Sequence, residues 1–254
     1  MLPKKRLIEI LDYIKKKDEK SAKVEELAKE FNASNSTIRR DLKKLEEQSM
    51  LERIHGGAIL RSSTSSEMKA FEKRIINQKE KKHIGKIAKK YIIDGDSILL
   101  DSGSTVLEVA NNLIEFNDLT VITYDLRIAL DIELTYDSKL FVTGGERRNG
   151  FEVVYGVECV DYIKKLHVDK AFLGADAIDL NKGITNAHFP EVPIKKEIIR
   201  SADTVILVAD SSKFNKQALI KVCELDEIDI IITDSEIDRN IYKKIKEKGV
   251  DIIY

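Results

Sequence analysis

Two cysteines in 254 residues, Cys159 and Cys223, are too few and too far apart for a disulfide framework, and there is no CxxC pair. Both read as small core residues. The four histidines, His55, His83, His167 and His188, fall at no metal-ligand spacing, so no metal is implied. No hydrophobic run approaches the roughly 18 residues that would cross a bilayer. The basic start Lys4, Lys5, Arg6 leads into an amphipathic pattern and not into the apolar core of a signal peptide, which points to a cytoplasmic protein with no membrane partner. Neither GxGxxG nor the lysine of a Walker loop is present, which argues against nucleotide binding and leaves no cofactor implied.

What is there suits one large or two modest soluble domains, with 43% hydrophobic residues and a net charge of −1. That small net charge hides an asymmetry. Residues 1–61 carry 15 Lys/Arg against 11 Asp/Glu, whereas the remainder carries 28 against 33. A basic excess on one segment is what a polyanionic partner would require.

The most informative stretch is residues 34–42, SNSTIRRDL. Ile38, Leu42 and Leu45 recur at i, i+4 and i+7, so one face of a helix is apolar while Asn35, Ser36, Arg39, Arg40 and Lys43 occupy the other. Ser34 can cap its start, although Thr37 is not the Glu or Gln of a full capping box. Before it, Val24, Leu27, Ala28 and Phe31 share a face, and Asn32 and Ala33 form a turn. The pair reads as helix-turn-helix, or as an αα-hairpin of any small helical domain. Residues 50–60, MLERIHGGAIL, favour the first, because two β-prone runs around Gly56 and Gly57 make a hairpin, and a hairpin directly after a recognition helix is a wing. Leu7, Leu11 and Ile14 give an earlier helix its stripe.

Leu7, Leu27, Ser34, residues 37–42, Leu45, Glu46, Arg53 and residues 55–58 together resemble the amino-terminal signature of the DeoR family of bacterial transcription regulators. Ser49 stands where that family usually has Gly. The resemblance implies a winged helix-turn-helix over residues 1–60 that binds double-stranded operator DNA through Asn35, Ser36, Thr37, Arg39, Arg40, Lys43, Arg53 and His55. Residues 61–66, RSSTSS, have the composition of a solvated connector and mark the domain boundary. A helical stretch from Glu67, including Phe71, Arg74 and Ile75, is expected to run toward the helix of residues 79–91.

Over residues 67–254 short apolar or β-branched runs (97–100, 119–123, 139–143, 170–173, 204–209 and 228–233) alternate with helical patterns such as Val106, Leu107, Ala110, Leu113, Ile114 and residues 192–200. This predicts an α/β domain with a mostly parallel sheet covered on both faces, whose ligands gather at the carboxyl ends of the strands. The first such end, Asp101-Ser102-Gly103-Ser104-Thr105, runs straight into a helix and has the makings of an anion site, or of a plain βα turn capped by Ser104. Other ends carry Thr123, Gly144-Gly145, Gly174-Ala175-Asp176 and Asp210-Ser211-Ser212-Lys213.

In that order these segments resemble the family's carboxyl-terminal sensor domain, which is related to ribose-5-phosphate isomerase. The resemblance implies a phosphorylated sugar as effector. The phosphate is expected on Ser102, Gly103, Ser104 and Thr105 with Lys213 adding a cation, and the rest of the site on Thr123, Gly144 and Gly145. Asp101, Asp176 and Glu191 would accept from sugar hydroxyls, and Lys195 would pair with a carboxylate or with the ligand. Tyr124 and Asp125 replace the family's usual Asn-Ser, and Ala177 a common Gly. The expected function is a transcriptional repressor of a sugar-metabolism operon, acting as a homodimer or higher homo-oligomer and without catalytic residues. The alternative is an active sugar-phosphate isomerase with a DNA-binding appendage, using Asp176, Glu191 and Lys213 as acid–base groups.

Overall fold

The computed structural model describes residues 3–17, 21–47, 51–60, 73–74, 76–149 and 151–254. They form two units, Met1–Ile76 and Asn77–Tyr254, each with its own core. The expected connector at residues 61–66, Ser49 and the stretch from Glu67 to Phe71 lie outside the described residues.

In the first unit, helix α1 (Pro3–Lys16) leads to strand β1 (Ser21–Lys23), helices α2 (Val24–Glu30) and α3 (Asn35–Glu47), and strands β2 (Leu51–Ile54) and β3 (Gly57–Leu60). Ile10, Leu11 and Ile14 of α1 join Leu27, Ile38, Leu42, Leu45, Leu51 and Ala58 in one buried cluster. The hairpin of β2 and β3 is antiparallel, with Gly56 at a φ of 79° in its turn. The sequence did not suggest β1, which adds a third strand through pairs such as Lys23 with Gly57. A Cβ at Gly57 would lie 2.4 Å from the Ala22 carbonyl, so the close approach of β1 excludes any larger residue there.

The second unit begins with α4 (Gln78–Ala88), followed by β4 (Ser97–Leu100), α5 (Ser104–Ala110), β5 (Thr120–Thr123), α6 (Leu126–Asp131) and β6 (Lys139–Val142). A small ribbon of β7 (Glu146–Arg147) and β8 (Val154–Tyr155) precedes α7 (Val157–Ile163) and β9 (Val168–Leu173). Then come β10 (Ala177–Asp179), β11 (Gly183–Asn186), α8 (Val192–Arg200), β12 (Ala202–Val208), β13 (Ile220–Cys223), β14 (Ile230–Ile232), α9 (Arg239–Glu247) and β15 (Asp251–Ile253). Asn77, with a φ of 53°, breaks the chain just before α4, so the helix expected to run on from residues 67–75 is interrupted there.

The main sheet has seven strands in the order β15-β14-β12-β9-β4-β5-β6, and every pairing is parallel. Apolar clusters cover both faces, one around Ile84, Val106 and Phe172, the other around Leu99, Ile194 and Leu207. Burial on both faces is why these strands read as unbroken apolar runs. The chain fills β4, β5 and β6 outward and then returns to lay β9 on the other side of β4. The carboxyl ends of β4 and β9 therefore flank the topological switch point, where such sheets leave a crevice. A second, antiparallel sheet of β10, β11 and β13 adjoins these ends in the sequence.

Candidate functional sites

Helix α3 presents two chemically opposite faces. Ile38 and Leu42 are fully buried, while Asn35, Ser36, Arg39, Arg40 and Lys43 are exposed and Thr37 is half-buried. Ser34 Oγ accepts from the Thr37 backbone N–H at 3.2 Å, the N-cap bond expected of a serine in that place. Asp41, inside the helix, is buried and bonded to Arg6 Nε at 2.6 Å, which ties α1 to α3. Arg53 is half-engaged within the protein: its backbone N–H reaches Glu46 Oε1 at 3.1 Å and its guanidinium stands 3.6 Å from Glu46 Oε2. It therefore holds the hairpin against the end of α3 as well as offering charge. His55 is exposed at the hairpin tip.

At the switch point of the second unit, Gly103 takes a φ of 124° as the N-cap of α5, a conformation that favours glycine. The cap is Gly103, where the sequence suggested Ser104. Like any first turn, that of α5 points N–H groups outward without intrahelical partners; Gly103 has no side chain to cap them, and its own N–H donates to Asp125 Oδ2 at 3.3 Å. Ser102, Gly103 and Ser104 are half-buried and Thr105 is buried.

Beneath this turn lies a closed polar network. Asp101 has no exposed surface; its Oδ1 accepts from the Tyr124 hydroxyl, and its Oδ2 from Lys195 Nζ and from the Gly174 N–H at 2.8 Å. Lys195 also donates to the Gly174 carbonyl at 3.0 Å. Burial alone would push the Lys195 ammonium down, but the carboxylates of Asp101 and Glu191 outweigh it and hold the group above its ordinary value. Burial, then Asp101, drives the Tyr124 phenol well above the usual range, so it stays a neutral donor. Both Asp101 and Lys195 thus belong to the floor of the site and are committed to each other.

Glu191 is likewise engaged, accepting from Arg148 Nη1 at 2.7 Å and from Asn186 Nδ2 at 3.3 Å. The Arg148 guanidinium stacks 3.7 Å from the Phe151 ring centre. Asp176 is half-buried and accepts from the Ala187 N–H at 3.0 Å. Thr123 uses its hydroxyl inside the fold, donating to the Leu100 carbonyl and accepting from the Asp125 N–H. Gly144 and Gly145 are exposed beyond β6, Gly145 lying close under the Tyr155 carbonyl. Lys213 lies in a short turn at the end of β12 with Asp210, Ser212 and Asn77. Sequence reasoning missed Arg148, Asn186 and Asn77 because each meets its partner only through the tertiary fold.

Asp125 makes the stability of the fold depend on pH. Burial lifts its carboxyl from an ordinary 3.8 to about 6, against the pull of the Ile128, Gly103 and Arg127 N–H groups. A carboxyl whose proton is held more tightly in the folded state stabilises the fold fully below its unfolded value, and that stabilisation is lost as pH rises through about 6. Stability should fall by about 1–3 kcal/mol from this group between roughly pH 4 and pH 7. Asp125→Asn, which keeps an oxygen for the first turn of α6, should remove that component. Denaturant titrations of both proteins across this window check it, and parallel profiles would refute the assignment.

A winged helix-turn-helix unit followed by an α/β unit with a polar network at its switch point fits a ligand-responsive DNA-binding regulator. The family model for the DeoR-like helix-turn-helix domain matches residues 6–64, and that for the DeoR C terminal sensor domain matches residues 76–235. The chain belongs to the DeoR family of transcription regulators. It is 32% identical to the HTH-type transcriptional repressor GlcR of Bacillus subtilis (strain 168), over 100% of this chain and 96% of that one. To the glycerol-3-phosphate regulon repressor of Escherichia coli (strain K12) it is 32% identical over 83% of each. A solved ribose-5-phosphate isomerase from Plasmodium falciparum is 23% identical over 53% of this chain and 52% of that one, with a TM-score of 0.36, too low to carry a functional conclusion. The chain is a regulator and not an enzyme. Glu191, one of the three groups the isomerase alternative needed, is bonded to Arg148 and Asn186.

Proposed function

We propose that the protein represses a sugar-metabolism operon in the cytoplasm and that a phosphorylated sugar, bound at the Ser102–Gly103–Ser104–Thr105 turn, loosens its hold on the operator. The observation that carries this reading is the placement of a glycine-capped, hydroxyl-rich turn on the buried Asp101–Lys195–Tyr124 network, at the switch point of the sheet. Such a turn offers a phosphate N–H donors, hydroxyls and the positive end of a helix dipole. The name of the Escherichia coli relative, a glycerol-3-phosphate regulon repressor, supports a phosphorylated effector.

In this reading α3 enters the major groove, with Asn35, Ser36, Thr37, Arg39 and Arg40 toward bases, and Lys43, Arg53 and His55 toward phosphates. Residues 61–66 connect the reading unit to the sensor. Asp176, on the rim, takes sugar hydroxyls, while Asp101, Glu191 and Lys195 act from beneath by fixing the loops. Effector shifts the balance between operator-competent and operator-incompetent arrangements by its differential affinity for the two.

A thermal-shift screen of sugar phosphates identifies the effector, since a ligand at 100 times its Kd adds about 2.7 kcal/mol to a fold it binds exclusively. Ser104→Asp then tests the site. Its carboxylate sits where the phosphate would and is compatible with a helix start, so the fold and operator affinity should be unchanged while the effector no longer releases DNA. Release of both proteins at the same effector concentration would place the phosphate elsewhere.

A further inference from the structure

Asp125 stands between the turn of residues 102–105 and helix α6, and its two carboxylate oxygens have different partners. Oδ1 caps α6, accepting from the Arg127 and Ile128 N–H groups at 2.8 and 3.0 Å. Oδ2 accepts from the Gly103 N–H at 3.3 Å, so one donor of the turn is already taken by an anion of the protein itself. The residue is 7% exposed, its N–H donates to the Thr123 hydroxyl, and its backbone pairs with Val153. With the backbone pinned and Oδ1 engaged, the carboxylate is fixed at that spot. Four charged groups surround it. Asp101 lies beneath and is committed to Lys195, and Glu152 precedes Val153 on the facing segment. The Arg127 guanidinium is paired with Asp131, and Arg148, whose N–H donates to the Val153 carbonyl, turns its guanidinium to Glu191.

We propose, on the reading of residues 102–105 as the phosphate turn, that Asp125 sets the affinity of this site by competing with the effector's phosphate for the Gly103 N–H, so that effector and a proton bind together. A phosphate oxygen accepting from that N–H would stand within about 6 Å of Oδ2, and two anions so close in a buried place do not both stay charged. The carboxyl takes a proton from solvent and keeps Oδ1 as the cap of α6. It thereby turns from a rival acceptor into an O–H donor toward the phosphate. Burial, with the Asp101 charge adding to it, places the titration of this carboxyl at about 6. Below that value the proton is already in place and binding is unhindered; above it, affinity falls about tenfold with each pH unit.

Sulfate is the probe, because it has the shape of a phosphate dianion and does not titrate between pH 5 and pH 8; inorganic phosphate is run beside it. Binding to the full chain is followed by thermal shift, and Ser104→Asp shows what either salt does to the fold without the site. Asp125→Asn should bind sulfate about as tightly as wild type at pH 5, about tenfold more tightly at pH 7 and about a hundredfold at pH 8. Asp125→Ser, neutral and still able to cap α6, should do the same and decides the matter if Asp125→Asn does not fold. Titration calorimetry at pH 7.5 in two buffers of different ionisation heat should show about one proton taken up by wild type with sulfate, and none by the variants. Equal sulfate affinity of wild type and the folded variant at pH 8, with Ser104→Asp not binding, would overturn the proposal and leave the phosphate turn standing. Equal stabilisation of wild type and Ser104→Asp by sulfate at pH 5 would overturn the phosphate turn and this proposal with it.

Discussion

Replacing Lys195 by Met is expected to destabilise the sensor unit by about 3–5 kcal/mol, because it strands the Asp101 carboxylate in the interior. Asp101 has no exposed surface and Lys195 is 3% exposed, so water cannot substitute for the lost ammonium. The Tyr124 hydroxyl and the Gly174 N–H would remain as donors, but neither carries a charge. For a unit of this size a melting-temperature drop on the order of 10 °C follows. The pair itself need not be strongly stabilising, since two well-packed apolar residues often do as well as a buried ion pair. Asp101→Leu/Lys195→Met should therefore recover part of the stability lost by Lys195→Met alone, while unfastening Gly174 and the loops above the network. Denaturant unfolding of wild type and the two variants checks this comparison. A single variant as stable as wild type would mean that the carboxylate is not confined as described.

The second large effect belongs to the other unit. Arg39→Ala/Arg40→Ala should lower operator affinity by at least about thirtyfold, each guanine-reading arginine contributing on the order of 1–3 kcal/mol. The fold should survive, since Ile38, Leu42 and Leu45 carry the packing of α3 and both arginines are exposed. Lys43→Ala should behave differently, weakening all sequences alike and reducing the salt slope by about one. Fluorescence anisotropy on operator and scrambled DNA at several salt concentrations separates the two behaviours. Undiminished preference for operator in the double variant would remove α3 from the base-reading role.

The recognition helix was legible in the sequence because its packing is local: Ile38, Leu42 and Leu45 at helical spacing and Ser34 as cap needed no partner elsewhere. Six strands of the main sheet were legible for a related reason, as burial on both faces leaves unbroken apolar runs between polar turns. The seventh, β15, is three residues long at an edge, and the strands of the antiparallel sheet are three or four residues, too short to show a period. Strand β1 has no apolar alternation at all and exists because β3 lies alongside. The candidate site was legible as a set of strand ends but not as a hierarchy. Asp101 and Glu191 look alike as sequence; only the fold shows that one closes on Lys195 and Tyr124 and the other on Arg148 and Asn186. Asp125 was noticeable only as a departure from the family pattern. Its elevated carboxyl pKa comes from burial, which no local motif announces.

Asn77 is the first residue of the sensor unit and holds a left-handed conformation without capping its own helix. Its side-chain amide instead reaches Asp210 Oδ1 at 2.7 Å and Ser212 Oγ at 3.2 Å. These two bonds fasten the first residue of the sensor unit to the turn that carries Lys213. A shift of residues 211–213 that kept these bonds would carry Asn77 with it.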